Sequence, residues 1–226
     1  MIGIFDSGVG GLCALYKLRE LLPREDLIYL ADRKNAPYGT KAKDEILSFT
    51  KINIKRLRAL GAEGILIACC TASTLYGELS LSEREICTPI ITPSAKIAAT
   101  VGKKIAVIAT EHTARSRAFS REIGSFSDCA VTEMAAQELV RLVECGNRDG
   151  RVSCECHDYL NGLSDRIKET GADTLILGCT HFSHLEGEIG AMLPHIKIIS
   201  PAREGAKEIA KKFDPKRREC GRVIYM

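Results

Sequence analysis

The chain has 226 residues, with 32 basic and 29 acidic side chains and a net charge of +3. Hydrophobic residues are 45% and charged residues 27%, an ordinary globular composition that excludes a disordered or collagen-like chain. The length allows one large domain or two small ones. With no Trp, six Phe and six Tyr, and charge spread along the chain, a base-stacking surface and a nucleic-acid partner are not expected.

The opening segment MIGIFDSGVGG has no basic start, apolar run or small-residue cleavage site, and so does not read as a signal peptide. No run of 18 apolar residues occurs, so no membrane span is expected. The ten cysteines are then expected to be reduced in the cytoplasm, as core residues, ligands or nucleophiles.

In chain order, short apolar runs without alternation predict strands at 2–5, 27–31, 64–68, 89–92, 104–109, 129–133, 174–178 and 197–200. Runs of this kind suit a parallel sheet buried on both faces. Helices are predicted between them. Residues 10–22 space Leu12, Leu15, Tyr16, Leu18 and Leu22, residues 41–60 space Ile46, Phe49, Ile52, Leu57 and Leu60 less regularly, and residues 157–169 space Leu160, Leu163 and Ile167. Strand alternating with helix predicts right-handed βαβ units and a doubly wound α/β fold.

An internal repeat refines this. Gly61-Ala-Glu-Gly-Ile-Leu-Ile-Ala-Cys69-Cys-Thr71 matches Gly171-Ala-Asp-Thr-Leu-Ile-Leu-Gly-Cys179-Thr-His181 at an offset of 110 residues, close to half the chain. Each copy is a helix end, a buried strand and a cysteine at the strand's carboxyl end. The expected architecture is two similar α/β halves with a cleft between them. Residues 1–92 and 201–226 form the first half and residues 93–200 the second, with crossovers near Pro89–Pro93 and at Pro201.

Ligands of open α/β sheets bind beyond the carboxyl ends of the strands. Those turns hold Asp6-Ser7, Asp32 to Gly39, Cys69-Cys70-Thr71, Thr110 with Thr113, and Cys179-Thr180-His181. A turn entering a helix offers free N–H groups to a carboxylate, and it is expected to lower a cysteine pKa from about 8.5. Two such thiols on opposed halves could flank one carbon, one removing a proton and the other donating a proton to the opposite face. The result would be inversion of a stereocentre with no cofactor and no metal.

Taken together, FDSGVGGL at 5–12, ADRKNAPYG at 31–39, ACCTAS at 68–73, LVECG at 142–146 and LGCTH at 177–181 resemble the glutamate racemases of the aspartate/glutamate racemase superfamily, in order and spacing from residue 2 to about 210. Cys-Thr-His in the last motif resembles the glutamate enzymes, whereas aspartate racemases usually carry Cys-Thr-Glu. The resemblance implies a cofactor-independent interconversion of L- and D-glutamate that supplies D-glutamate for peptidoglycan. It implies Cys69 and Cys179 as the acid/base pair, working on D- and L-glutamate respectively. Asp6 would support the first cysteine, and His181 and Glu144 the second. Ser7, Tyr38, Gly39, Cys70, Thr71 and Thr180, with Asp6 and His181, would hold the substrate, and Thr110 and Thr113 would line the pocket. A homodimer is the default that the resemblance implies.

Three departures stand out. Cys70 takes the family's usual Asn position, exchanging an amide for one weak donor. This leaves open altered specificity or a non-catalytic amino-acid-binding relative. The family's His-Tyr-Pro is here His181-Phe182-Ser183. The strand-like Val223–Met226 stands where family members usually continue into a further helix.

Several plainer readings compete. Cys69 and Cys179 could be buried strand-end residues, or Cys69 and Cys70 a redox pair. Gly8, Gly10 and Gly11 suggest a dinucleotide loop, but the third glycine position holds Cys13. Cys154, Cys156 and His157, with Cys145, suggest zinc but lack the second cysteine pair. His184 and the basic stretch Lys211, Lys212 and Lys216–Arg218, interleaved with Asp214 and Glu219, read as solvated surface.

Overall fold

A computed structural model describes residues 1–146, 152–213 and 220–226, and among them nine strands form two all-parallel sheets. The strands are β1 (Ile2–Asp6), β2 (Leu27–Ala31), β3 (Gly64–Ile67), β4 (Cys87–Pro89), β5 (Lys104–Ala109), β6 (Ala130–Ala135), β7 (Thr174–Gly178), β8 (Lys197–Ile199) and β9 (Val223–Tyr225). One sheet runs β4-β3-β1-β2-β9 and the other β8-β7-β5-β6. β9 apart, the two orders are the same with every strand number raised by four, so the repeat in the sequence is a repeat of topology. Gly61 and Gly171, equivalent in that repeat, both take left-handed φ angles of 88° and 64° just after a helix. That conformation favours glycine and ends each helix so that the chain can enter the central strand.

One expected strand is corrected. Residues 89–92 are not a strand: the strand ends at Pro89 and a helix spans Ile91–Val101. Ile90 and Ile91 are buried between the sheets, and the Ser94 hydroxyl donates to both their carbonyls. Tertiary burial outweighs the β preference of an Ile-Ile run. Pro93 fits because it lies in the first turn, where an N–H has no helical partner. The helical stretches at 10–22, 41–60 and 157–169 form at Leu12–Leu21, Lys43–Ala59 and Cys154–Glu169. Tyr16, Ile52 and Leu60 are exposed rather than on the packed faces.

Three apolar clusters hold the molecule together. One lies behind each sheet. The third joins the halves: Leu15 and Leu66 of the first share it with Val107 and Ile176 of the second, through Ala95 and Ala206. The helix Pro201–Ala210, begun by the expected Pro201 turn, packs on both Leu12–Leu21 and Ile91–Val101. The halves therefore meet over an apolar core, while the turns at the carboxyl ends of strands from both line one cavity. Among the described residues no helix is long and apolar enough to cross a membrane. Lys211 pairs with Glu208, and the Lys212 Nζ donates to Thr88. Asp214, Lys216–Arg218 and Glu219 lie outside the described residues.

Candidate active site

In both parallel sheets the strand order reverses between two neighbouring inner strands, β1 and β3 in one and β5 and β7 in the other. That is where α/β sheets open a crevice. Asp6 ends β1 and Cys69 follows β3, while Thr110 follows β5 and Cys179 follows β7. The duplicated fold thus brings four equivalent turns to one place.

On the first half, the Cys69 Sγ lies 3.3 Å from the Ser7 Oγ. Asp6 is fully buried and accepts from the Gly8 N–H at 2.9 Å and, across the cleft, from the Thr180 hydroxyl at 3.3 Å. On the second half, the His181 Nδ1 lies 3.7 Å from the Cys179 Sγ, and its Nε2 lies 2.9 Å from the Glu144 Oε1. The Thr71, Thr110 and Thr113 hydroxyls close a triangle of 2.9 to 3.2 Å that spans the halves.

Two glycines let the halves approach this closely. A Cβ on Gly10 would stand 2.5 Å from the Thr180 Oγ1 and 2.7 Å from the His181 backbone nitrogen. A Cβ on Gly39 would collide with Gln137 and Thr110. The glycine run after β1 therefore serves the packing of the second thiol turn against the first half, and the dinucleotide reading has no support here. The other alternative cluster does not converge: Cys154 is exposed, Cys156 is buried, and His157 bonds Asn161.

One cavity collects these turns. Ser7, Gly39, Cys69, Cys70, Thr71, Glu144, Cys179, Thr180 and His181 all line it. Its free volume is about 20 Å³, room for a single water. Tyr38 also lines it, but the Tyr38 hydroxyl donates to the Asp32 Oδ2 at 2.6 Å, in a buried set with Asn53. What Tyr38 offers the cavity is shape and the path of the following backbone. Thr113 stands behind Thr71 and Thr110 rather than on the wall. Phe182 fills the core of the second half and Ser183 bonds Ser200, so the changed His-Phe-Ser sequence lies behind the wall.

The two thiols have different neighbours. Burial, reinforced by Asp6, pushes Cys69 up to about 12, and the Ser7 hydroxyl only partly offsets this. The expected lowering by a helix N-terminus is thus overturned, because the helix after Cys69 is the single turn Cys70–Ser73 and burial dominates. Burial also raises Cys70 well above its ordinary value. For His181, burial opposes the charged form, but Cys179, Glu144 and Asp6 together outweigh it and carry the imidazole up to about 11. His181 is then an imidazolium at neutral pH, with Glu144 held below the usual carboxylate range chiefly by its bond to it. Nδ1–H points at the Cys179 sulfur.

Residues 16–209 match the model of the Asp/Glu/hydantoin racemase family. The chain belongs to that family. It is an isomerase of the amino-acid racemase class. It is 36% identical to a glutamate racemase of Gloeobacter violaceus, over 96% of this chain and 82% of the relative. Its fold superimposes with a TM-score of 0.84 on a glutamate racemase of Thermus thermophilus solved with β-chloro-D-alanine, at 33% identity over 99% of this chain and 86% of that one. The TM-score is 0.89 with a Francisella tularensis glutamate racemase solved with D-glutamate, at 26% identity over 99% and 86% of the two chains. A Picrophilus torridus aspartate racemase shares the fold at 16% identity, with a TM-score of 0.71.

No motif in the sequence marks Gln137 or Val140 as cavity residues, nor Asn53 behind Tyr38. Gln137 begins the helix after β6, and nothing in its neighbourhood marks it. Asn53 is a buried amide in the middle of a helix, and that break in an apolar face is the one signal that could have found it.

Proposed function

We propose that this racemase interconverts L- and D-glutamate with Cys69 and Cys179 as its two bases, without a cofactor, and that it supplies D-glutamate for peptidoglycan. The observation that carries the reading is that the two thiols, each from one copy of the repeat, line one cavity with an acid-stabilising field at the first and an imidazolium at the second.

In the L-to-D direction the Cys179 thiolate, paired with His181, removes the Cα proton. The resulting carbanion is planar, and Cys69 delivers its thiol proton to the opposite face. One proton leaves carbon for sulfur and one leaves sulfur for carbon, so the amino acid changes hand and the two sulfurs exchange protonation states. The reverse reaction starts from the exchanged state. Hydroxyls and backbone N–H groups at Ser7, Thr71, Thr180 and Gly39 are suited to the charged groups of the substrate, and interactions with the α-carboxylate stabilise the carbanion. Asp6, expected to hold the substrate, is fully buried and does not line the cavity, so it acts through the Thr180 hydroxyl and Gly8 N–H that it holds in place. A cavity of about 20 Å³ holds far less than a glutamate. Binding therefore parts the halves at the threonine triangle and at Gly39.

Cys70 lines the same wall where the family usually carries Asn, and this observation favours a second reading, a racemase of altered amino-acid specificity. Circular dichroism of the purified protein with each enantiomer of glutamate, then of aspartate, separates the two. Racemisation of glutamate with the higher kcat/KM supports the first reading, turnover of another amino acid alone the second, and turnover of none the non-catalytic relative. The cytoplasmic setting rests on the ten free cysteines, and the homodimer on the family resemblance alone.

A further inference from the structure

A second, larger cavity adjoins the catalytic one. It measures about 450 Å³ and lies open between the halves. The first half contributes the turn from Gly39 to Lys43 together with Thr74 and Glu78, and the second half side chains from Glu111 to Arg121. The two cavities share Gly39. At the wall between them the Glu111 N–H, on the outer side, donates to the Gln137 Oε1 on the inner side at 3.2 Å.

The lining carries Lys41, Lys43, Arg115 and Arg121 against Glu78 and Glu111. The carboxylates are spoken for, Glu78 by Lys43 at 2.7 Å and Glu111 by Arg115 at 2.5 Å. Among the described residues Lys41 and Arg121 have no carboxylate partner. The Lys41 Nζ lies 5.8 Å from the centre of the Phe49 ring, and the Arg121 guanidinium donates to the Ser116 carbonyl. His112 is half-buried at the seam, its Nε2 3.3 Å from the Thr74 hydroxyl. Two surplus cations, one from each half, thus face a concave surface, where charge of one sign concentrates anions.

We propose that this cleft is the entry vestibule of the racemase, an anion-binding site where Lys41 and Arg121 capture a carboxylate of the substrate before it passes Gly39 and Gln137 to the thiols. The inference rests on the glutamate reading, since a dicarboxylate leaves one carboxylate free while the other leads inward. Because its cations come from both halves, the vestibule holds the incoming anion at the seam that must part to admit it.

The test uses full-length protein with ¹³C-labelled histidine. The His112 resonance, assigned by its loss in His112→Gln, is followed while glutarate is added as a dicarboxylate without an amino group. A saturable shift that weakens about tenfold in the Lys41→Glu/Arg121→Glu double variant is expected. The same variant should lose about tenfold in kcat/KM for glutamate at low ionic strength and converge on wild type as salt rises. No saturable shift, or an equal dissociation constant in the double variant, overturns the proposal. If wild type turns over no glutamate while the glutarate titration behaves as expected, the vestibule stands and the glutamate reading falls.

Discussion

Glu144 and His181 meet at 2.9 Å across the second half, Oε1 to Nε2, and this turns the other ring nitrogen of His181 to the sulfur of Cys179. A histidine raised to about 11 keeps its proton from acid pH through neutrality and loses it only as pH climbs through that value. Removing the carboxylate removes one of the groups that raise it. Glu144→Gln should therefore move the alkaline limb of the kcat/KM profile to lower pH in the L-to-D direction, with a smaller effect on the acid limb. His181→Asn should cost roughly 10²-fold in kcat, the lower end for loss of an acid/base partner. Superimposable pH profiles for Glu144→Gln and wild type would remove Glu144 from this role.

Alkaline stability follows from the buried thiols. Burial lifts both Cys69 and Cys87 from 9.0 to about 12. Between those values the unfolded chain has lost the thiol proton while the folded chain keeps it, so stability is complete below about pH 9 and falls as pH rises toward 12. Cys87 lies outside the cavity, so Cys87→Ala isolates the effect. In urea unfolding, the stability lead of wild type over this variant should shrink by at most about 1.4 kcal/mol per pH unit between pH 9 and 11. A constant difference would show that the thiol titrates alike in both states.

Gly10, like Gly39, lies where the two halves approach too closely for a side chain. Alanine there needs space now held by the Thr180 hydroxyl and the His181 backbone. Gly10→Ala should destabilise the protein by about 1–3 kcal/mol, as overpacking does, and should lower kcat more than a surface change of equal stability cost. The measurements are Tm and kcat for Gly10→Ala beside a Gly187→Ala control, whose added Cβ meets nothing. Equal behaviour of the two variants would mean that the loop yields freely.

Much of this was legible in the residues. Unalternated apolar runs marked the buried parallel strands, and the cysteine repeat marked their duplication, because both are local patterns fixed by burial on two faces. The turns with Asp6, Cys69, Cys179 and His181 were legible because chemistry gathers at the carboxyl ends of such strands. The Ile91–Val101 helix was not, since its identity depends on a core made by both halves. Nor was the field around Cys69: a helix N-terminus is visible in sequence, but its length of one turn and the burial that overrides it are not.

Cys70 is the departure with a measurable cost. It is 2% exposed and stands on the cavity wall with a thiol in place of an amide. A lost hydrogen bond to a charged ligand group is worth about 1.5–3 kcal/mol, or roughly ten- to a hundredfold in affinity. Cys70→Asn should lower KM for glutamate by about that factor and raise kcat/KM without abolishing turnover. Loss of activity would instead place Cys70 in the chemistry or in selection of a different amino acid.

Solvent isotope incorporation tests most directly the proposal that Cys69 and Cys179 exchange protons with one carbon on its opposite faces. With L-glutamate in D₂O at low conversion, a proton leaves to Cys179 and a deuteron arrives from Cys69. The account predicts that each D-glutamate formed carries one deuterium at Cα while the remaining L-glutamate stays protiated. Product that keeps the original proton, or deuterium entering recovered L-glutamate as fast as D-glutamate forms, would mean that a single base serves both faces and would contradict the account.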